Sequence, residues 1–364
     1  MKYKEKWKEY KVYDLANWKN GIAFKDINFV KNGKYPIIKI AELKNGITDQ
    51  TKFTNQIFDN SVFLRNDDLI FSWSGNPYTS IDAYLYRLKE GYLNQHSFKV
   101  TANEDIVSKY YLYYILKFLK PVFIEIASEK QTTGLGHVTI SDLKRLNVLI
   151  PPLNIQDKIL KILKNIDNKI ELNNQINDNL YKYIKQEFLQ VLTKESTSVR
   201  LEDIAEISSG KRPKEKNDIG KYPLIGASGI MAYCNEFNYD EDIIIIGRVG
   251  TLGVVKRYNY PIWASDNTLT IRTNYKNYIE NYLSRFDYAA LNRGSTQPLI
   301  TQADIKKQEI LFDEKIVKKF ENDTKQLRDL INKNNNQNAT LDELRDTLLP
   351  KLMNGEIDLD KIDI

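Results

Sequence analysis

The chain has 364 residues, 42% hydrophobic and 28% charged, enough for two domains with separate cores. A single cysteine, Cys234, excludes an internal disulfide and any multi-cysteine metal site, and with only His96 and His137 besides, metal or Ser-His-Asp chemistry has few parts to work with. The net charge of +5 is mildly basic; no apolar run approaches about 18 residues and none follows the charged N-terminus "MKYKEKWKEYK", so the expectation is a cytoplasmic protein without membrane contact.

The first part of the chain reads as strands. Residues 1–52 carry twelve lysines against six acids. "YPIIKIAEL", "DLIFSW" and "HSFKVTA" are β-branched or alternating runs bounded by Gly, Asn, Asp and Pro. A short helix is expected at 108–119, "SKYYLYYILKFL". His96, following "YLNQ", reads as a packed strand-edge histidine. "IPPLNIQDKIL" then signals a helix start: Pro-Pro ends a strand, and Asn154 can cap with Asp157 three residues on. That helix should run from about 154 to 192, with Ile159, Ile162, Ile166, Ile176, Leu180 and Tyr183 on heptad a and d positions and Lys169 and Asn173 interrupting the seam.

Beyond it the chain repeats itself. "LEDIAEISSG" at 201–210 matches "VYDLANWKNG" at 12–21 without a gap, at an offset of 189. "GKYPLI" at 220–225 returns "GKYPII" at 33–38, offset 187. "DEDIIII" at 240–246 returns "NDDLIFS" at 66–72, offset 174, and "TQADIKKQEILF" at 301–312 returns "TISDLKRLNVLI" at 139–150, offset 162. Falling offsets mean that the second copy lost residues from loops but kept its element order, so this is a tandem duplication of a unit far longer than solenoid repeats. Strands are expected at "EDIIIIG" and "NTLTIRT" and a short helix at 276–286. A second long helix, 314–353, places Phe320, Leu327, Leu330, Leu341, Leu344 and Leu348 on the seam.

Each long helix has about 39 residues, about 58 Å at roughly 1.5 Å per residue, too long for the face of one small domain. Its natural partner is the other copy. The expected fold is α+β: two β-rich recognition domains, each followed by a long helix, the helices packed as an antiparallel coiled coil with pseudo-twofold symmetry. The segments are 1–152, 153–193, 194–312 and 313–364. Asn173 and Asn334, 161 residues apart at the two helix midpoints, should face each other and fix the register. Tyr181, Tyr183 and Phe188 have no obvious home within the chain. A dyad with two unlike heads suits a duplex with two unlike half-sites.

The "IPPLNIQDKI" turn into a long helix, the terminal "TLLPKLMNGEI" and the "GKRPK" opening of the second unit resemble the specificity subunits of type I restriction–modification systems, across essentially the whole chain. The second junction, "ILFDEKIVKKF", departs by lacking the Pro-Pro and the Gln of 151–156. The resemblance implies a non-catalytic DNA-recognition subunit that reads a bipartite, asymmetric site in double-stranded DNA. It also implies docking of two modification subunits, which carry S-adenosylmethionine and methylate adenine N6, and of motor/nuclease restriction subunits; no cofactor is bound by this chain itself. The competing readings are weaker. "NPY" at 76–78 is one proline short of the Asn-Pro-Pro-Tyr of adenine methylases, "GLG" at 134–136 is a poor cofactor loop, no Asp…Glu-x-Lys cluster supports a nuclease, and a coiled-coil scaffold leaves the heads unexplained.

DNA-binding candidates follow from chemistry and position. Loops after strands offer Ser74, Asn76, Tyr78 and Thr79 in the first unit and Arg248 and Thr251 in the second. "QTTGLGHVT" and "RGSTQPLIT" align at the offset of 162 and supply Gln131, Thr133 and His137, and Arg293, Ser295 and Gln297. Arginine suits guanine, and Asn or Gln suits adenine, in the major groove. Lys211 and Arg212, in the basic stretch 210–221, are either a solvated face or a phosphate-facing stripe.

Overall fold

The computed structural model describes residues 6–131, 134–192, 196–216 and 220–359. The chain forms two compact units, one of Met1–Lys169 with Thr340–Ile364, the other of Ile170–Ala339. Each therefore holds one head and part of both long helices. The expected boundary at 193/194 falls among residues 193–195, outside the described residues.

In the first unit an antiparallel sheet is ordered Ala16–Asn20, Ser97–Ala102, Leu69–Ser72, Asp82–Leu85. Its strand "LIFS" is buried on both faces, which is why it reads as a continuous apolar run and not as an alternation. Leu69 and Phe71 enter the main core with Tyr111, Leu112 and Ile115 of helix Lys109–Phe118 and Phe123 of helix Lys120–Glu129. Ile70 points the other way, onto Ile38, Leu64 and Leu93 of a smaller mixed sheet. The second unit repeats the layers. Its sheet is ordered Glu206–Ser209, Thr268–Arg272, Ile243–Gly247, Val255–Tyr258. Ile244 and Ile246 face Tyr278, Ile279 and Leu283, while Ile243 and Ile245 face Ile225, Ile262 and Ala264.

Backbone contacts set the correspondence of the copies. Gly21 donates its N–H to Ser97, and Gly210 donates to Thr268, both at 3.0 Å. A Cβ on Gly21 would lie 2.1 Å from the Asn94 carbonyl oxygen, and one on Gly210 lies 2.1 Å from that of Ser265. Close backbone passage is thus why both copies keep glycine there. At the central strand the structure corrects the sequence alignment by one residue. Ser72 pairs with Ser97 and Gly247 with Thr268, an offset of 175 instead of 174. The slip arises because four consecutive isoleucines offer no side-chain landmark.

A two-stranded ribbon closes each head, Lys8–Lys11 with Asn147–Ile150 and Thr197–Arg200 with Glu309–Phe312, and its last strand leads into a 40-residue helix, Leu153–Leu192 or Glu314–Met353. Asn154 is not the cap expected of it but lies inside the first turn, where Pro152 accepts the N–H groups of Ile155 and Gln156. The fully buried Gln156 makes the joint instead. It accepts from the Ser108 N–H at 3.0 Å and donates to the carbonyls of Ile106 and Pro151, both at 2.9 Å. Its counterpart is Val317, buried in the core, and the second helix starts on Asp313, which accepts the Ile316 N–H at 2.8 Å.

The helices run antiparallel, and their seam corrects the expected heptads at every second position. Ile159, Ile166 and Phe320 are buried. The alternate positions, however, are Leu163, Asn177, Ile184, Ile331 and Asn338, while Tyr183, Leu330 and Leu344 are 50%, 41% and 44% exposed. Steps of four then three from Ile159 fit the burial, not three then four. Large apolar residues at adjacent positions drew the reading one residue aside. Phe188, expected to lack a home, is fully buried against Tyr278, Tyr282 and Phe320.

Asn173 and Asn334 are both buried in the seam but do not bond each other. Asn173 donates to Asn338 at 2.8 Å, and Asn334 donates to Asn177 at 2.8 Å. Asn338 donates to Asn174 at 2.9 Å and Asn177 to Asn335 at 2.9 Å. Each bond is the image of another under the offset of 161, so the local dyad passes between the two pairs and not through either asparagine. The expectation places the crossing at the midpoints of the helix spans, whereas packing sets it two residues further on each helix.

Candidate nucleic-acid interface

In the first unit the loop after Leu69–Ser72 is tied to the loop before the last ribbon by a two-residue pairing, Ser74 with His137 and Gly75 with Gly136. Ser74 is buried, its hydroxyl 2.9 Å from His137 Nδ1. Asn76 is a helix cap, its side chain accepting the N–H groups of Tyr78 and Thr79 at 3.1 Å. The "NPY" triplet is therefore local helix-start chemistry, and Tyr78, 69% exposed, is displayed beside Thr79 at the surface. Gln131 is exposed, and Thr133 lies outside the described residues.

The second unit repeats this ribbon as a bridge between Val249 and Leu299, with the Gly250 N–H on the Pro298 carbonyl at 2.9 Å. Asn292 closes the loop from 292 to 299, accepting the N–H groups of Gly294 and Leu299 at 2.9 Å each. Ser295, Gln297 and Thr251 stand exposed at the surface. Arg293 is already engaged, its guanidinium clamping the buried Asp304 carboxylate. The first unit has the same device in Lys130 on Asp142. Both aspartates belong to Thr-x-x-Asp capping boxes. Burial pushes both carboxyls up, but hydrogen bonds from the cation and from the Thr side chain and backbone outweigh it, holding them below the ordinary range. The geometry makes Arg293 an anchor of its loop.

Lys211 and Arg212 are exposed; Lys211 donates its N–H to Ala264 at 2.9 Å and accepts the Trp263 indole N–H at 2.7 Å. A polar cavity of about 440 Å³ lies beside them, lined by Ser209, Lys211, Asn238, Arg272 and Gln302 among others. Arg248 reaches its edge, donating from Nη1 to the Ser209 hydroxyl at 3.1 Å.

Three residues outside the DNA-binding candidates of the sequence, Trp73, His96 and Asn267, stand among them in the fold. Trp73, half-buried, stacks on Phe98 and lies tilted against both histidine rings, centroids 6.1 Å from His96 and 5.8 Å from His137. His96 is exposed in the turn before Ser97–Ala102, not packed at a strand edge. Burial, then His137 and Lys39, hold its imidazole below the usual value. Asn267 occupies the corresponding turn of the second unit. A structural alignment of the two copies would have found all three; their side chains share no chemistry for a sequence match to use. Among the described residues no group of His, Cys, Asp or Glu could hold a metal ion, and no helix is long and apolar enough to cross a membrane.

Comparison with known proteins places this arrangement. Residues 4–182 and 193–344 each match the family described as the type I restriction modification DNA specificity domain. The MjaVIII type I restriction enzyme specificity subunit of Methanocaldococcus jannaschii is 30% identical over 52% of this chain and 44% of its own length. A putative type I specificity subunit of Mycoplasma pneumoniae is 24% identical over 68% of each chain. The chain thus spans less than half of the first of these relatives. Among solved structures, the S subunit of a type I restriction-modification system from M. genitalium superposes with a TM-score of 0.55 at 18% identity, over 95% of this chain and 96% of that one, a likeness of fold.

Proposed function

Because the chain belongs to the type I restriction modification DNA specificity family, matched twice along its length, we propose that it is the DNA sequence-specificity subunit of a type I restriction–modification complex. Each head reads one half of a bipartite, asymmetric site in double-stranded DNA, and the chain itself catalyses no reaction. The observation that carries this reading is one head design used twice, with the same four-strand sheet order and the same closing ribbon in each, and unlike side chains at the matching loop ends. One scaffold used twice with different surface chemistry is what reading two different half-sites requires.

In this reading Ser74, Asn76, Tyr78, Thr79, Gln131, Thr133 and His137 belong to the first reading surface. Lys211, Arg212, Arg248, Thr251, Arg293, Ser295 and Gln297 belong to the second, with Arg293 acting through its hold on Asp304. The asparagine ladder, Asn173 and Asn334 included, fixes helix register and with it the spacing of half-sites that the complex accepts. Two modification subunits, carrying S-adenosylmethionine, and the restriction subunits are the partners, and the cytoplasm is the compartment. The test is purification with a co-expressed type I modification subunit. The expected result is adenine methylation at one two-part sequence by the complex and none by either chain alone. Methylation by this chain unaided would overturn the assignment.

A further inference from the structure

Backbone contacts identify one position that the two units share while their side chains part completely. The Trp73 N–H donates to the His96 carbonyl at 3.3 Å, and the Trp73 carbonyl accepts the Val138 N–H at 2.8 Å. In the second unit the Arg248 N–H donates to Asn267 at 3.0 Å, and the Arg248 carbonyl accepts the Ile300 N–H at 3.0 Å. Trp73 and Arg248 are thus one structural position, the residue that leaves the central strand for the candidate loop. The side chains even share an anchor: Trp73 Nε1 donates to Asn20 at 3.0 Å and Arg248 Nη1 to Ser209 at 3.1 Å, and Asn20 and Ser209 are equivalent at the offset of 189. Their neighbours correspond too, His96 to Asn267 and His137 to Leu299.

We propose that this position is the principal specificity-determining residue of each head: Arg248, with Asn267 beside it, hydrogen-bonds a guanine in one half-site, and Trp73, flanked by His96 and His137, makes ring and imidazole contacts to a base in the other. The inference rests on the DNA-recognition reading above. Chemistry supports the division. Arg248 commits one terminal nitrogen to Ser209 and is half-buried, so its guanidinium is held in a defined direction; its Nε is buried with no hydrogen-bond partner among the described residues, and the terminal nitrogens are the edge left to meet a base. A fixed guanidinium edge suits the guanine O6 and N7 acceptors. An indole held between two imidazoles offers an apolar face with donors at its rim, which suits the methyl and carbonyl of a thymine better than a phosphate. Neither side chain is among the long flexible lysines that give sequence-blind attraction.

The full chain, alone and with a co-expressed type I modification subunit, is used to select bound duplexes from a randomised double-stranded DNA library. Arg248→Ala and Arg248→Lys should abolish the preference for guanine at one position of one half-site, by about 5- to 150-fold for a lost bidentate contact of about 1–3 kcal/mol. The other half should be unchanged. His96→Ala, His137→Asn and Trp73→Phe should change the opposite half alone; phenylalanine keeps the ring stacked on Phe98, and thermal melting confirms folding. A two-part site whose halves are untouched by these changes, or uniform weakening on all DNA, overturns the inference while leaving the recognition reading standing. No selected sequence with the wild-type complex overturns both.

Discussion

The two heads have kept their backbone contacts and exchanged their side chains, and the exchange extends to where the long helices cross them. In the first unit Asp167 accepts from the Tyr114 hydroxyl at 2.5 Å and pairs with Arg345 at 3.1 Å. At the position equivalent to Asp167 the second helix carries Arg328, which pairs with Glu280 at 3.1 Å and lies over the Tyr181 ring. The sign of the charge has inverted while the joint, long helix to head helix to the opposing helix, has not. Packing geometry survives a duplication because every neighbour constrains it; a charge at the joint needs only a partner of opposite sign, which Asp167 finds on the opposing long helix and Arg328 on the head helix.

The sharpest way to break that equivalence is at the glycines. Gly21→Ala and Gly210→Ala each force a Cβ into a carbonyl 2.1 Å away, so each should cost more than about 3 kcal/mol. Chemical denaturation should show two losses of similar size; a mild effect at either would mean that its strand crossing can open.

The two ionic joints should differ. Arg328 has a side chain 8% exposed and Glu280 18%, whereas Arg345 and Asp167 are 28% and 29% exposed. Arg328→Met should therefore cost about 2–3 kcal/mol, since it leaves the buried Glu280 with Arg257 alone, 3.5 Å away, and Arg345→Met about 1 kcal/mol at most. Equal shifts in denaturation midpoint would show that burial does not distinguish them.

The asparagine pairs should be matched. Double-mutant cycles to alanine on Asn173 with Asn338 and on Asn177 with Asn334 should each return about 0.5–1.5 kcal/mol of coupling, as for hydrogen bonds of ordinary strength. Asn173 also donates to Gln337 at 2.9 Å, and its own buried Oδ1 has no partner among the described residues, so the first cycle is the one expected to deviate. Coupling absent from both would remove the ladder as a register device.

The smallest effect tests a single buried acid. Glu321 stands where the first helix carries Leu160, and accepts the Tyr278 N–H at 2.7 Å. Burial raises its pKa above the ordinary 4.5 despite that bond and Arg257. A raised carboxyl contributes stability at low pH that is lost as pH rises through the folded value. Glu321→Gln keeps the acceptor and removes the charge, so it should stabilise slightly at pH values above the raised titration of Glu321 and not below it. Thermal melts from pH 4 to 8 should show the gain appearing only on the alkaline side of that range.

Duplication, two long helices and the β-rich character of each head were legible in the sequence because they rest on local periodicity and on collinear matches, and neither needs a distant partner. The helix spans were read to within a residue, since apolar seams and Pro-Pro punctuate the chain itself. What the sequence could not show were contacts whose two ends lie far apart. Gln156 looked like one polar residue in a helix start until Ser108 and Ile106 were found against it. Arg293 read as a loop arginine alone, and only the fold shows Asp304 beneath it. Trp73 and Arg248 share no letter and follow runs that the sequence aligns one residue out of step, so strand pairing and carbonyls from other strands reveal them as one position. Residue types determined which elements form; the register between elements, set by packing and backbone hydrogen bonds across the fold, decided which side chains meet.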